Sequence, residues 1–170
     1  MSGADFGAGT GLVTLEIAKR VKYITAIDSS EGMLEVLKEK IKSGGIGNVS
    51  TLAIDIEKDP VGLNGLDFIT SSMAIHHVED TAKMASVFYG MLKPGGMAAL
   101  ADLEKEDGSF HNSGNTAGVK HNGFDRTDLG AVFQKAGFKN IRFTTAYNVE
   151  RKNEKGESRL YPIFLLLAEK

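Results

Sequence analysis

The stretch Asp5-Phe6-Gly7-Ala8-Gly9-Thr10-Gly11 concentrates the chemistry of this chain: three alternating glycines behind a carboxylate. Glycine in such a turn brings bare main chain against a ligand. An amphipathic segment follows, with Leu12, Leu15, Ile17 and Ala18 among its apolar positions. A glycine turn feeding a helix N-terminus makes a ligand pocket at the end of a strand. Asp5 decides what that pocket accepts. It repels a phosphate, but not a ligand carrying an ammonium or sulfonium. Neither nucleotide motif fits. Counted from Gly7, the sixth position of G-x-G-x-x-G/A is Leu12, and the G-x-x-x-x-G-K-[ST] loop is absent.

Two further carboxylates, Asp28 and Asp55, close short β-prone runs. Asp28 lies 17 residues beyond Gly11, near the offset of about 20 at which an acidic side chain meets a ribose. A carboxylate accepts from both ribose hydroxyls at once. Ser30 can cap the next helix by itself, which leaves Asp28 free for a ligand. Of the four histidines, His76 and His77 are adjacent, so one is expected to face the core and the other the cleft. His111 and His121 flank a long polar loop. A neutral imidazole at His111 could accept a proton from a nucleophile, which makes it the catalytic candidate. Asp102, Glu104, His111 and His121 show no zinc or iron ligand spacing, so no metal is expected.

The elements that must position these residues alternate. Strands are expected at Ser2–Phe6, Tyr23–Ile27, Ser50–Ile54, Leu66–Ser71 and Met97–Leu103. A helix capped by Ser29 and Ser30 runs to about Lys42, with Met33, Val36, Leu37 and Ile41 at helical spacing. A second, capped by Asp80, runs through Leu92 and stops at Lys93-Pro94-Gly95-Gly96. Residues 104–123 are polar and aperiodic, as in a lid, a binding loop or disorder. A helix capped by Asp125 then reaches Ala136. Strands at Ile141–Val149 and Arg159–Ala168 flank a charged turn at 150–158 and pair antiparallel. This pattern predicts an α/β fold: a doubly wound, mostly parallel seven-stranded sheet ending in an antiparallel hairpin. No repeat or linker divides residues 1–170, so one domain is expected.

The 170 residues are 42% hydrophobic and 25% charged, which suits one domain with a real core. A net charge of −2 does not point to nucleic acid or an anionic membrane. The absence of cysteine excludes disulfides and thiolate metal sites. No apolar run reaches the ~18 residues of a membrane span, and no signal region opens the chain, so a cytoplasmic location is expected.

With its glycine loop, Asp28-Ser29 with Met33, the Leu66–Val78 segment and the Leu92-Lys93-Pro94-Gly95-Gly96 turn, the chain resembles the class I S-adenosylmethionine-dependent methyltransferases. Within them it is similar to small-molecule families of the ubiquinone-biosynthesis type. The resemblance implies the Rossmann-like strand order 3-2-1-4-5-7-6 and S-adenosylmethionine as cofactor. It implies that the Gly7, Ala8, Gly9 and Gly11 loop holds the methionyl part, with Asp5 near its ammonium. Asp28 then takes the ribose, Asp55 and Ile56 the adenine, and Ser71 and Ser72 touch the methionyl end. The implied reaction is methyl transfer to a small acceptor entering beside 104–123. The nucleic-acid type Asn-Pro-Pro-Tyr motif does not occur after the fourth strand. The glycine motif begins five residues into the chain, so the domain is expected to be short at its N-terminus, with a homodimer partner covering the open side. Two other readings stay open: a non-catalytic, degenerate S-adenosylmethionine-binding domain, and a nucleotide-dependent oxidoreductase.

Overall fold

The computed structural model describes residues 1–111, 118–152 and 158–170. The elements in chain order are β1 (Ser2–Phe6), α1 (Leu12–Ala18), β2 (Tyr23–Asp28), α2 (Glu31–Ser43), β3 (Val49–Ala53) and β4 (Leu66–Ser72). A single 3-10 turn at Ile75–His77 precedes α3 (Thr81–Met91), β5 (Leu92–Leu103), α4 (Arg126–Lys135), β6 (Lys139–Lys152) and β7 (Ser158–Glu169). The seven strands form one sheet in the order β3-β2-β1-β4-β5-β7-β6. Pairing is parallel from β3 to β5 and antiparallel from β5 through β7 to β6. Among the described residues, no helix is long and apolar enough to cross a membrane.

Strand alternation divides the packing between the two faces of the sheet, because successive side chains point to opposite sides. On β2, Ala26 packs with Leu34 and Leu37 of α2. Its neighbour Ile27 joins the larger cluster built on Met84, Phe88 and Met91 of α3 and Phe133 of α4. On β1, Ala4 and Phe6 face that larger cluster, and the Phe6 ring meets Phe88 edge-on at 5.2 Å. Asp5, between them, faces α1 instead. The same period that makes β1 a good buried strand thus sends its one carboxylate under the first helix.

Side-chain caps begin three helices. Ser30 accepts from the Met33 N–H, Asp80 from Lys83, and Asp125 from Thr127 and Asp128. Helix α1 departs from its expected apolar face. Leu12 is 80% exposed, whereas Thr14 is fully buried. Its buried stripe carries a hydroxyl because the partner across it is a carboxylate.

Three expected boundaries shift. β5 starts at Leu92 and carries Pro94-Gly95-Gly96 as an irregularity, with the register against β4 slipping between Leu66↔Leu92 and Phe68↔Met97. The C-terminus is tied there, since Gly95 N donates to Lys170 O and Lys170 N to Gly96 O. β6 and β7 run longer than expected, pairing out to Lys152↔Ser158. Of the expected turn at 150–158, residues 153–157 lie outside the described residues, as do 112–117 of the loop at 104–123. The described ends of that loop are ordered. Glu104 bridges Phe124, Lys105 N donates to Phe124 O, and Glu106 N to Asn122 O. Phe110 is buried against Tyr161, with the Arg151 guanidinium 3.9 Å from its ring centre.

Candidate functional site

The turn after β1 hangs from β2: Gly7 N and Ala8 N both donate to Ile27 O, at 2.8 and 3.0 Å. Gly7 and Gly9 have positive φ, 68° and 54°, for different reasons. A Cβ on Gly7 would stand 2.1 Å from the Ala74 Cβ, so Gly7 lets two chain segments touch. A Cβ on Gly9 would meet only the Met33 sulfur, at 3.6 Å, beside the cleft. Gly7→Ala is therefore expected to cost about 2–4 kcal/mol, from left-handed backbone strain plus overpacking, read as a lower urea midpoint. Gly9→Ala should cost only the backbone strain, ~1–2 kcal/mol, in the same measurement.

Asp28 lies at the rim. One carboxylate oxygen accepts from Gly9 N and the other from Ser30 N, both at 2.8 Å. The carboxylate is thereby fixed in orientation while each oxygen keeps acceptor capacity. It opens on a cleft of about 760 Å³, at the carboxyl ends of the parallel strands. Gly7, Gly9, Asp28, Ser29 and Met33 form one wall, and Ile54, Asp55, Ile56, Glu57 and Lys58 another. The far end is built by Phe6, Met73, Ala74, His77, Val78, Glu79, Gly118 and Lys120. The lining carries four carboxylates (Asp28, Asp55, Glu57 and Glu79) against two ammoniums. That balance favours a cationic ligand over a pyrophosphate.

The wall at residues 54–58 is braced from α3. The Glu57 carboxylate accepts from Asp80 N at 2.8 Å, and Lys83 Nζ donates to Glu57 O. Asp55 bonds Lys58 Nζ at 2.7 Å and accepts from Glu57 N at 3.0 Å. These contacts, the lysine first, hold its carboxyl below the usual carboxylate range. Sequence reasoning missed Lys58. Lys58 is exposed and Asp55 half-buried, so the pair is a weak hold that another donor to Asp55 can replace.

Several expected contacts do not reach the cleft wall. Asp5 is 1% exposed and accepts from Thr14 Oγ1 at 2.5 Å. Burial raises its pKa to about 6, opposed by the Thr14 hydrogen bonds and helped by the Asp28 charge. Ionising Asp5 therefore opposes folding. Its contribution is whole below pH ~4 and fades as pH rises through 6, a loss of ~3 kcal/mol by pH 7. Asp5→Asn is expected to gain on the wild type by up to about that amount between pH 4 and 7, in urea unfolding at each pH. An unchanged difference across that range would contradict it.

Ala8 and Gly11 shape the turn without lining the cleft. Ser71 and Ser72 stop short of it. Ser71 is buried, and its Oγ has no hydrogen-bond partner among the described residues. The wall is built by the next two residues, because the chain turns there: Met73 takes φ 55° and donates its N–H to Ala101 O at 2.8 Å. A non-glycine residue at such φ stores ~1–3 kcal/mol of strain.

The histidines divide between core and cleft. His76 is 2% exposed, with Nδ1 2.7 Å from Asp102 Oδ1, while His77 lines the cleft. His111 stands behind them, its ring centre 5.1 Å from that of His76 and 6.4 Å from that of His77. Burial first, then His76, His77 and Arg151, hold its pKa below the usual histidine value, so the ring is neutral at pH 7. It is off the cleft wall, contrary to a direct approach to substrate from this position. Among the described residues, no group of three or more His, Asp or Glu is placed to hold a metal ion. Glu104 pairs with Arg126, and His121 Nε2 lies 2.9 Å from Val78 O.

Known proteins are similar to this chain in sequence and in fold. An uncharacterised methyltransferase of Schizosaccharomyces pombe is 29% identical over 153 residues, 82% of this chain and 54% of its own length. A demethylmenaquinone methyltransferase of Listeria monocytogenes is 32% identical over 104 residues, 59% of this chain and 44% of its own. The chain thus spans about half the length of the curated relatives it matches. In fold it is similar to phosphoethanolamine N-methyltransferase 2 of Haemonchus contortus, solved in complex with S-adenosyl-L-methionine. There the TM-score is 0.80 at 17% identity, covering 100% of this chain and 48% of that one. The methyltransferase domain family model matches residues 4–96, more than half of the chain, and the chain belongs to that family.

Proposed function

We propose that this domain binds S-adenosylmethionine and transfers its methyl group to a small-molecule acceptor. The observation that carries the reading is Asp28, oriented by Gly9 N and Ser30 N at the mouth of a cleft whose lining is net acidic. The donor set fits the cofactor: a carboxylate for two ribose hydroxyls, main chain bare at Gly9, and Asp55 beside the apolar Ile56 for an amino-bearing ring. When bound, the cofactor supplies a methyl group made electrophilic by its sulfonium. The protein's residues then have to orient and exclude water, which is where positioning lowers barriers most. The buried Asp5 adds negative potential beneath the turn without touching the cleft.

The likeness to the Listeria demethylmenaquinone methyltransferases supports an acceptor of the quinol kind, as in the ubiquinone-biosynthesis type. Isothermal titration with S-adenosylmethionine and S-adenosylhomocysteine tests the binding. Release of S-adenosylhomocysteine across a panel of small acceptors tests the transfer. Folded protein that binds neither nucleoside ends the proposal. Protein that binds both but turns over no acceptor is a binding domain only.

A further inference from the structure

At the far end of the cleft, the wall beside Met73, Ala74 and Val78 is apolar, and a single imidazole, His77, stands among those residues. Its Nδ1 lies 2.9 Å from Gly118 O. A carbonyl oxygen only accepts, so this bond requires the hydrogen on Nδ1 and leaves the lone pair of the neutral ring on Nε2. Among the described residues, Nε2 has no partner. The carbonyl that fixes the tautomer is itself held in place. Lys120 N and His121 N both donate to His76 O, and His121 Nε2 lies against Val78 O. The segment at 118–121 is therefore clipped to the segment carrying His77.

We propose that His77 is the general base of this site, so that the acceptor is a weak acid whose X–H proton must leave during methyl transfer. This rests on the methyltransferase reading above. As the bond from the acceptor atom to the methyl carbon forms, the acceptor's proton passes to Nε2. The carbon–sulfur bond breaks with its pair on sulfur, leaving a neutral thioether. The imidazolium afterwards gives its proton to water. The titratable and charged groups around the ring are His76, whose ring centre is 4.2 Å away, His111 at 6.4 Å, and Glu79 and Lys120 on the same cleft wall. Asp102 acts one residue further back, through His76.

The test has two arms. In long-range 1H–15N spectra of 15N-histidine protein without ligand, with His77→Gln assigning the resonance, His77 is expected as the Nδ1–H tautomer. The Nε2–H tautomer would overturn the inference. In single turnover with a panel of phenols and a reduced 1,4-naphthoquinone, His77→Ala is expected to lose about 10²–10⁴-fold in rate. Its affinity for S-adenosylmethionine should stay within threefold, and the acid limb of the pH–rate profile should vanish. Unchanged turnover in the variant refutes the base. Wild type that binds the cofactor but methylates none of these acceptors refutes the acceptor class. Wild type that fails to bind the cofactor instead sinks the methyltransferase reading, and this inference with it.

Discussion

Asp28→Ala is expected to weaken S-adenosylmethionine binding by about 10²–10⁴-fold while leaving the domain folded. Two hydrogen bonds to a charged acceptor are lost, each worth ~1.5–3 kcal/mol, and every 1.4 kcal/mol is tenfold in affinity. The same substitution leaves Gly9 N and Ser30 N without their acceptor. The turn therefore loses the clamp that orients it, and part of the loss comes from the free protein. Asp28→Asn keeps one acceptor oxygen and the shape of the side chain, so it should fall between the two. Isothermal titration gives the affinities, and thermal melting checks the fold. An affinity within threefold of wild type for Asp28→Ala would remove this carboxylate from the ligand site.

Asp102→Ala is expected to cost about 3–5 kcal/mol of stability, the largest folding effect anticipated here. Asp102 is 0% exposed and accepts from His76 N, His76 Nδ1 and Leu103 N, at 3.3, 2.7 and 2.7 Å. Truncation strands three donors inside the protein at ~1–3 kcal/mol each, less whatever entering water recovers. Asp102→Asn keeps an acceptor oxygen and should lose only ~1–2 kcal/mol. Urea unfolding of both variants measures this. A loss below 1 kcal/mol for Asp102→Ala would show that the His76 contact does not hold the segment. The effect also reaches the site, because His76 O anchors Lys120 of the cleft's far wall and His121 beside it.

Much of the fold was legible because its signals are local. Ile24, Ala26 and Ile27 read as a strand covered on both faces, and the structure buries all three. Ser30, Asp80 and Asp125 cap helices as their residue types predict. The strand order followed from the family resemblance rather than from periodicity. Of the residues expected around a ligand, Gly7, Gly9, Asp28, Ser29, Met33, Asp55 and Ile56 line one cleft. What was missed depends on how the chain turns. Lys58 takes an Asp55 oxygen from three residues on, across the turn after β3. Lys120 reaches the wall from a loop pinned to His76. The serines ending β4 stop just short of the cleft, since the left-handed step at Met73 cannot be read from a methionine.

By itself, the sequence determined the alternation of buried strands and capped helices, and it marked one glycine turn flanked by acidic strand ends. Those are properties of residue type and spacing along a few residues, where steric and hydrogen-bond preferences act directly. Tertiary structure alone decided which carboxylate faces the cleft and which lies in the interior. Asp28 projects from the end of β2 into the cleft, whereas the pleat of β1 turns Asp5 under α1 to Thr14. It also decided which imidazole meets the cleft, because the 3-10 turn at Ile75–His77 rotates His76 inward to Asp102 and His77 outward to Gly118. Burial and partner choice are set by what packs across the sheet, and a one-dimensional pattern does not carry that information.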